Sequence, residues 1–173
     1  RLPLVVVHML GRVVESLATD QERVQVKWPN DLYKDGKKLA GILVETVEQG
    51  GMWAIIGIGL NVNMRASETP PEIESIATSL HDWFGCESHR WYILGLILKE
   101  LISTSLLRPE SFQAVTAWIA ERDFLIGKRL QADLPKHSLV GVGRGLGAKG
   151  ELLLEDEDGE THSIISATRL VLC

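Results

Sequence analysis

The sequence predicts an α+β fold: a mixed β-sheet with helices packed on one face, followed by a small β-barrel. Three observations carry this expectation. Apolar residues recur with helical spacing at the start and through the middle of the chain. Between those stretches lie runs that alternate with period two or are rich in β-branched residues. From Lys128 onward the texture changes to short alternating runs separated by glycine or acidic turns. The boundary is expected at Gly127, dividing the chain into 1–126 and 127–173.

Taken in order, Leu2 to Ala18 reads as a helix ending in the polar run Thr19-Asp20-Gln21-Glu22. Val24 to Trp28 alternates and stops at Pro29, a strand entering a turn. Leu39 to Val47 and Trp53 to Val62, separated by Gly50-Gly51, form a hairpin. A loop bearing Pro70 and Pro71 follows, then a short helix over Ile76 to Trp83. Ser88 is expected to cap a longer helix running to Leu107, and Pro109 to open another that ends before Gly127. Trp83, Trp91 and Trp118 are expected in the core. Leu130 to Leu134, Leu139 to Val142, Leu152 to Leu154 and Arg169 to Leu172 are the strands of the barrel.

Composition narrows the function classes. Of 173 residues, 45% are hydrophobic and 24% charged, a globular balance, and the formal net charge of -5 disfavours binding to nucleic-acid phosphates. The two cysteines, Cys86 and Cys173, make no framework, which suits a reducing compartment; a cytoplasmic protein is expected. Leu4 to Leu10 is too short to span a bilayer and has no cleavage-site pattern after it. The chain begins with Arg1, so further sequence upstream is expected.

Two segments concentrate side chains able to do chemistry. In Lys27-Trp28-Pro29-Asn30-Asp31 a strand ends and presents an amide and a carboxylate, with Lys38-Leu39-Ala40-Gly41-Ile42-Leu43 following. Strand ends hold such groups rigidly, although Asn-Asp is also ordinary turn chemistry and Lys38 reads equally as a solvated edge lysine. In Gly57-Ile58-Gly59-Leu60-Asn61-Val62-Asn63 the glycines suggest close approach of a backbone or a flat ligand, and alternate asparagines share one side. An amide donates and accepts, as reading adenine requires; the plain alternative is a bulge with the asparagines capping the strand.

These segments, in this order and spacing, resemble the signature set of bacterial biotin protein ligases, and Ala77-Thr78-Ser79-Leu80 and the C-terminal β-module fit the same pattern. The resemblance covers nearly the whole chain. It implies a class II aminoacyl-tRNA-synthetase-like catalytic domain, here partial, and a small Src-homology-3-like barrel. It also implies activation of biotin as biotinyl-5'-adenylate with ATP and transfer to a lysine of a biotin carboxyl carrier protein. By the resemblance, Lys38 contacts the biotin carboxylate and adenylate phosphate, while Asn30 and Asp31 line the reaction centre. Asp31 there orients the acceptor amine, Asn61 reads adenine, and Gly41 and Gly59 admit the ligand. Lys27 lies nearby, and Arg169 takes a nucleotide-phosphate role in a departed context, Ser166-Ala167-Thr168-Arg169. ATP implies Mg2+, with no protein ligand assigned. The family's glycine- and arginine-rich biotin loop is not in this sequence, so residues 1–173 alone are expected to be inactive. No helix-turn-helix is read, hence no nucleic-acid partner for this chain, and no membrane partner; a homodimer is left open. A lipoate-type ligase and an inactive or split module acting by binding are the alternatives.

Other signals are set aside. Gly145 to Gly150 fits a dinucleotide fingerprint by letter but precedes a strand, so it is a turn. Glu155 to Glu160 reads as an acidic hairpin tip, and no histidine pair has metal-ligand spacing on one helix.

Overall fold

The computed structural model describes residues 1–19, 22–103 and 109–173. The opening helix, α1 (Leu2–Leu17), carries proline in its first turn, where a missing N–H costs nothing. It is rich in valine, a mediocre helix former, yet Leu4 to Val7, Met9, Leu10, Val13 and Val14 are all buried, so packing decides its conformation. At Gly11 an added Cβ would lie 2.3 Å from the Trp118 ring, and the absence of a side chain lets α1 meet α5 (Pro109–Ala120).

Beneath α1 lies a sheet of β1 (Gln25–Lys27), β2 (Asp31–Lys34), β3 (Lys37–Glu48) and β4 (Met52–Leu60) in that order. All its pairings are antiparallel, which corrects the expected mixed sheet. The connections 28–30, 35–36 and 49–51 are turns, whereas parallel pairing needs a crossover of about a dozen residues or more. Among the described residues the parallel contacts are isolated bridges, Val26 to Asp123 and Lys38 to Ala77 at the first sheet and Ile126 to Gly143 in the C-terminal part. Val26, Leu32, Ala40 and Ile42 are buried on the helix side of the sheet.

Beyond the sheet, α2 (Pro71–Glu74) and α3 (Leu80–Phe84) replace the single helix predicted over 76–83. Helix does not continue through 77–78 because Ile76 O and Thr78 N hydrogen-bond the Lys38 backbone, at 2.8 and 2.9 Å, and Ala77 bridges to Lys38. Ser79 caps α3 by accepting from the Asp82 N–H. The next helix, α4 (Arg90–Ser103), starts later than expected. Ser88 does not cap it, because the Asn63 side-chain amide grips both backbone groups of Ser88. Its predicted end at Leu107 lies outside the described residues. Helices α4 and α5 pack on α1, so the helices do stack on one side of the first sheet. Trp91, expected in the core, is 78% exposed on α4. No helix among the described residues is long and apolar enough to cross a membrane.

The C-terminal strands β5 (Arg129–Asp133), β6 (Ser138–Leu146), β7 (Leu152–Glu155), β8 (Thr161–Ile164) and β9 (Arg169–Leu172) form an antiparallel sheet in the order β8-β7-β6-β5-β9. The expected barrel is not closed. Its terminal strands β8 and β9 do not pair with one another among the described residues, because β9 is held at the far edge by β5. The Gly145–Gly150 stretch is the end of β6 and the turn into β7, with positive φ at Gly145 and Gly150. Leu130, Ala132, Leu152, Leu154 and Ile164 belong to the same buried cluster as α1 and the first sheet. Between the two sheets, the buried Trp28 indole donates to the Gly150 carbonyl at 2.9 Å.

Candidate functional site

Strand β3 contains one residue too many for its partner. Leu32 opposes Ala40 and Tyr33 opposes Lys38, leaving Leu39 as the extra residue of a bulge. In a regular strand, positions 38 and 41 face opposite sides of the sheet. The bulge inverts the alternation, buries both Leu39 and Ala40, and lays the Lys38 side chain over Gly41. A Cβ at Gly41 would sit 3.0 Å from Lys38 Cε and Nζ and 3.2 Å from Asp31 Oδ1. Lys38 Nζ is paired with Asp31 Oδ1 at 2.7 Å, the ammonium 45% exposed and the carboxylate 18% exposed.

One rung of the sheet therefore reads Lys27, Asp31, Gly41, Gly59 across its strands. Asn30, Asp31, Lys38, Gly41, Gly57 and Gly59 line a cleft of about 440 Å³. The three glycines make a floor without side chains. Asn30 is fixed to β3 twice: its Nδ2 donates to Ile42 O at 2.6 Å and its carbonyl accepts from Ile42 N at 2.9 Å.

Asn61 stands at the end of β4, and its Nδ2 donates to Thr78 O at 2.9 Å and Lys38 O at 3.4 Å. It thus ties the Lys38 backbone to the 77–78 segment, and Oδ1 is the side-chain atom left without a protein partner among the described residues. Arg169 lies in β9 of the other sheet, in register with Asp133. Among the described residues no hydrogen bond or ion pair joins it to the cleft. Lys27 is in the rung, but its Nζ turns to the Tyr33 hydroxyl at 3.3 Å. The structure thus brings Lys27, Asn30, Asp31, Lys38, Gly41 and Gly59 together, sets Asn61 behind Lys38, and leaves Arg169 apart.

Sequence reading passed over a group at the β1 edge. Val26 N donates to Arg122 O at 2.7 Å and Phe124 N to Val26 O at 2.9 Å, which brings the 122–128 segment alongside β1. There Phe124 stacks on Tyr33 with centroids 4.7 Å apart. Asp123 Oδ1 accepts the Leu125 N–H at 2.8 Å, while its Oδ2 is buried without a partner. Burial pushes the Asp123 carboxyl above its ordinary range, against the pull of the Leu125 and Ile126 amides and of Lys128. Burial also lowers the Lys128 ammonium; Asp123 opposes this and Lys27 adds to it. An aromatic residue beside each lysine, at 27/33 and 124/128, was the only signal available.

An exposed ammonium against a carboxylate over an empty floor suits a ligand carrying negative charge, which replaces Asp31 as the partner of Lys38. The cleft offers a single carboxylate already paired with a lysine, which does not make a protein-built magnesium site. Asp156, Glu160 and His162 at the β7–β8 tip bring ligand atoms within 4.8 Å of one another, but Asp156 accepts two backbone amides and pairs with His162, folding the turn. A second cavity of about 430 Å³, between α1, α3 and α4, contains none of the cleft residues.

Residues 1–63 match the model described as the Biotin/lipoate A/B protein ligase family. The biotin--[acetyl-CoA-carboxylase] ligase of Mycobacterium tuberculosis is 32% identical over 164 residues, covering 94% of this chain and 58% of that protein. The solved structure of the biotin protein ligase from Aquifex aeolicus in complex with biotin and ATP is 30% identical, with a TM-score of 0.82 over 99% of this chain and 71% of that one. This chain belongs to the biotin protein ligase family. The bifunctional ligase/repressor BirA of Escherichia coli, 29% identical, is covered over 48% of its length. The present family member spans about half the length of the curated relatives it matches, 58% and 48% for these two. The likeness to the Aquifex aeolicus ligase runs through both sheets, so bulge, cleft and C-terminal strands all lie within it.

Proposed function

We propose that the protein is an ATP-dependent biotin protein ligase whose reaction centre is the Lys38–Asp31 pair above the Gly41–Gly59 floor. The observation that carries this is the bulge at Leu39, which turns a lysine onto a side-chain-free surface opposite a carboxylate. In the first step a biotin carboxylate oxygen attacks the α-phosphorus of ATP, the bond to the β-phosphate oxygen breaks, and pyrophosphate leaves. Lys38 offsets the negative charge shared by the two reacting groups. In the second step the acceptor amine attacks the carbonyl carbon of biotinyl-5'-adenylate, the carbon–oxygen bond breaks and AMP leaves. Lysine has a pKa of about 10.4, so Asp31, freed from Lys38 by the ligand, orients the amine and receives its proton. Asn61 Oδ1, able only to accept, suits the exocyclic amino group of adenine.

The acceptor is a lysine of a biotin carboxyl carrier protein in the cytoplasm. Magnesium arrives on the ATP phosphates, and no step depends on a protein ligand to it. Residues 1–126 are read as part of a class II aminoacyl-tRNA-synthetase-like catalytic domain and 127–173 as a partly open Src-homology-3-like module. The test is mass spectrometry of a carrier domain incubated with the full-length protein that contains these residues, ATP and an equimolar mixture of biotin and lipoate. The expected result is one biotinyl group on one lysine; a lipoyl adduct, or no adduct in either case, contradicts the proposal.

A further inference from the structure

The Lys38–Asp31 pair has different surroundings on its two sides. Toward β4 lies the glycine floor, which has room for a small flat ligand. Toward β1 lies a shelf of the stacked Tyr33 and Phe124 rings with a lysine on each. Lys27 Nζ stands 5.4 Å from the Tyr33 centroid and Lys128 Nζ 3.1 Å from that of Phe124. Among the described residues neither lysine is in an ion pair with a carboxylate. Asp123, on the same segment as Lys128, turns one oxygen to the Leu125 amide and buries the other. Ile126, on the same segment, is an apolar side chain 56% exposed.

We propose that Lys27 and Lys128, on their aromatic shelf, form the docking surface for an acidic side chain of the acceptor protein that flanks its modified lysine. The inference rests on the ligase reading above. If the small-molecule substrates lie on the glycine floor, the amine reaches Asp31 from the opposite side, and Lys27 is the register partner of Asp31 on that side. Adjacent strands are about 4.8 Å apart and an extended chain advances about 3.3 Å per residue, so acceptor residues one to four places from the target lysine fall over the shelf. An acidic side chain meets two cations there, and apolar neighbours meet Tyr33, Phe124 and Ile126. A nucleotide polyphosphate would satisfy the charges but has no use for the apolar flank. Partial desolvation of Lys128 agrees with a surface prepared for a charged partner.

Separating the half-reactions tests this. The full-length protein that contains these residues and its Lys128→Glu and Lys128→Arg variants are assayed for biotin-dependent exchange of labelled pyrophosphate into ATP, and for transfer to a carrier domain at varied carrier concentration. Lys128→Glu is expected to raise the KM for carrier about tenfold, with kcat and pyrophosphate exchange within about twofold of the parent, and Lys128→Arg to restore the KM. Substituting acidic residues near the target lysine of the carrier by lysine is expected to recover binding to Lys128→Glu. Unchanged KM with active transfer overturns the docking surface and leaves the ligase reading standing. A parallel fall in pyrophosphate exchange also overturns it and assigns the shelf to nucleotide. Absence of exchange in the parent chain removes the ligase reading and this inference with it.

Discussion

At the scale of single residues, the site depends on where one extra amino acid was inserted. Leu39 is fully buried, yet its presence in β3 sets the face on which Lys38 emerges. Asp123 is a residue whose ionisation the fold disturbs, raised chiefly by burial. A carboxyl with a raised folded pKa binds protons more readily folded than unfolded. Its stabilising contribution is therefore complete below the ordinary value of 3.8 and is lost as the pH rises through the folded value. Asparagine keeps the acceptor for Leu125 and does not ionise. The advantage of Asp123→Asn over the parent, measured as the difference in urea midpoint, is expected to grow from pH 4 to pH 7 in steps of about one unit. A difference that shrinks or stays constant contradicts the assignment of Asp123 as a strained acid.

At the scale of elements, α1 is tied to the far end of its packing partner α5 by one buried ion pair. Arg122 Nε and Nη2 meet Glu15 Oε1 and Oε2 at 2.9 and 3.1 Å, the guanidinium stacks on Trp118, and Glu15 also accepts the Val24 N–H at 3.1 Å. Both side chains are largely buried, 8% and 17% exposed. Truncating Glu15→Ala takes the bidentate partner from Arg122, which keeps Trp118 O at 3.1 Å and Glu121 at 3.4 Å, leaves the Val24 amide without its acceptor, and is expected to cost about 2–4 kcal/mol in chemical denaturation. A loss under about 1 kcal/mol would show the pair to be solvated. The helices α1 and α5 and the long β3–β4 hairpin were legible in the sequence because apolar periodicity in long segments is a strong signal. Strand β2 was not, because it is four residues long and begins at the Asp31 that reads as turn chemistry. Asp35-Gly36, with φ of 50° and 78°, carried the hairpin signal that would have revealed it. Residues 76–78 read as helix because their pairing partner, the Lys38 backbone, is distant in sequence. Among site residues, Lys38, Asp31 and Gly41 were legible as a motif. The shelf of Tyr33, Phe124 and Lys128 was not, since it forms only when the 122–128 segment pairs with β1.

At the scale of the whole molecule, two antiparallel sheets share one buried cluster, and the Trp28 indole crosses to the β6–β7 turn directly behind Asn30 and Asp31. The strand end that presents the carboxylate is therefore braced by the C-terminal sheet, which gives that sheet a part in holding the site even though Arg169 does not reach the cleft. Under the proposed function the cleft is the small-molecule side, where Lys38 serves adenylate formation, and the β1 edge is the macromolecular side, from which Asp31 serves the transfer that follows. The most direct measurement is biotin-dependent pyrophosphate exchange by the full-length protein that contains these residues beside its Lys38→Ala and Asp31→Asn variants, each checked for unchanged thermal unfolding. Exchange is expected to fall by roughly 10²–10³ in Lys38→Ala, and to persist within about tenfold in Asp31→Asn while transfer to the carrier collapses. Exchange at the parent rate in folded Lys38→Ala would contradict the account.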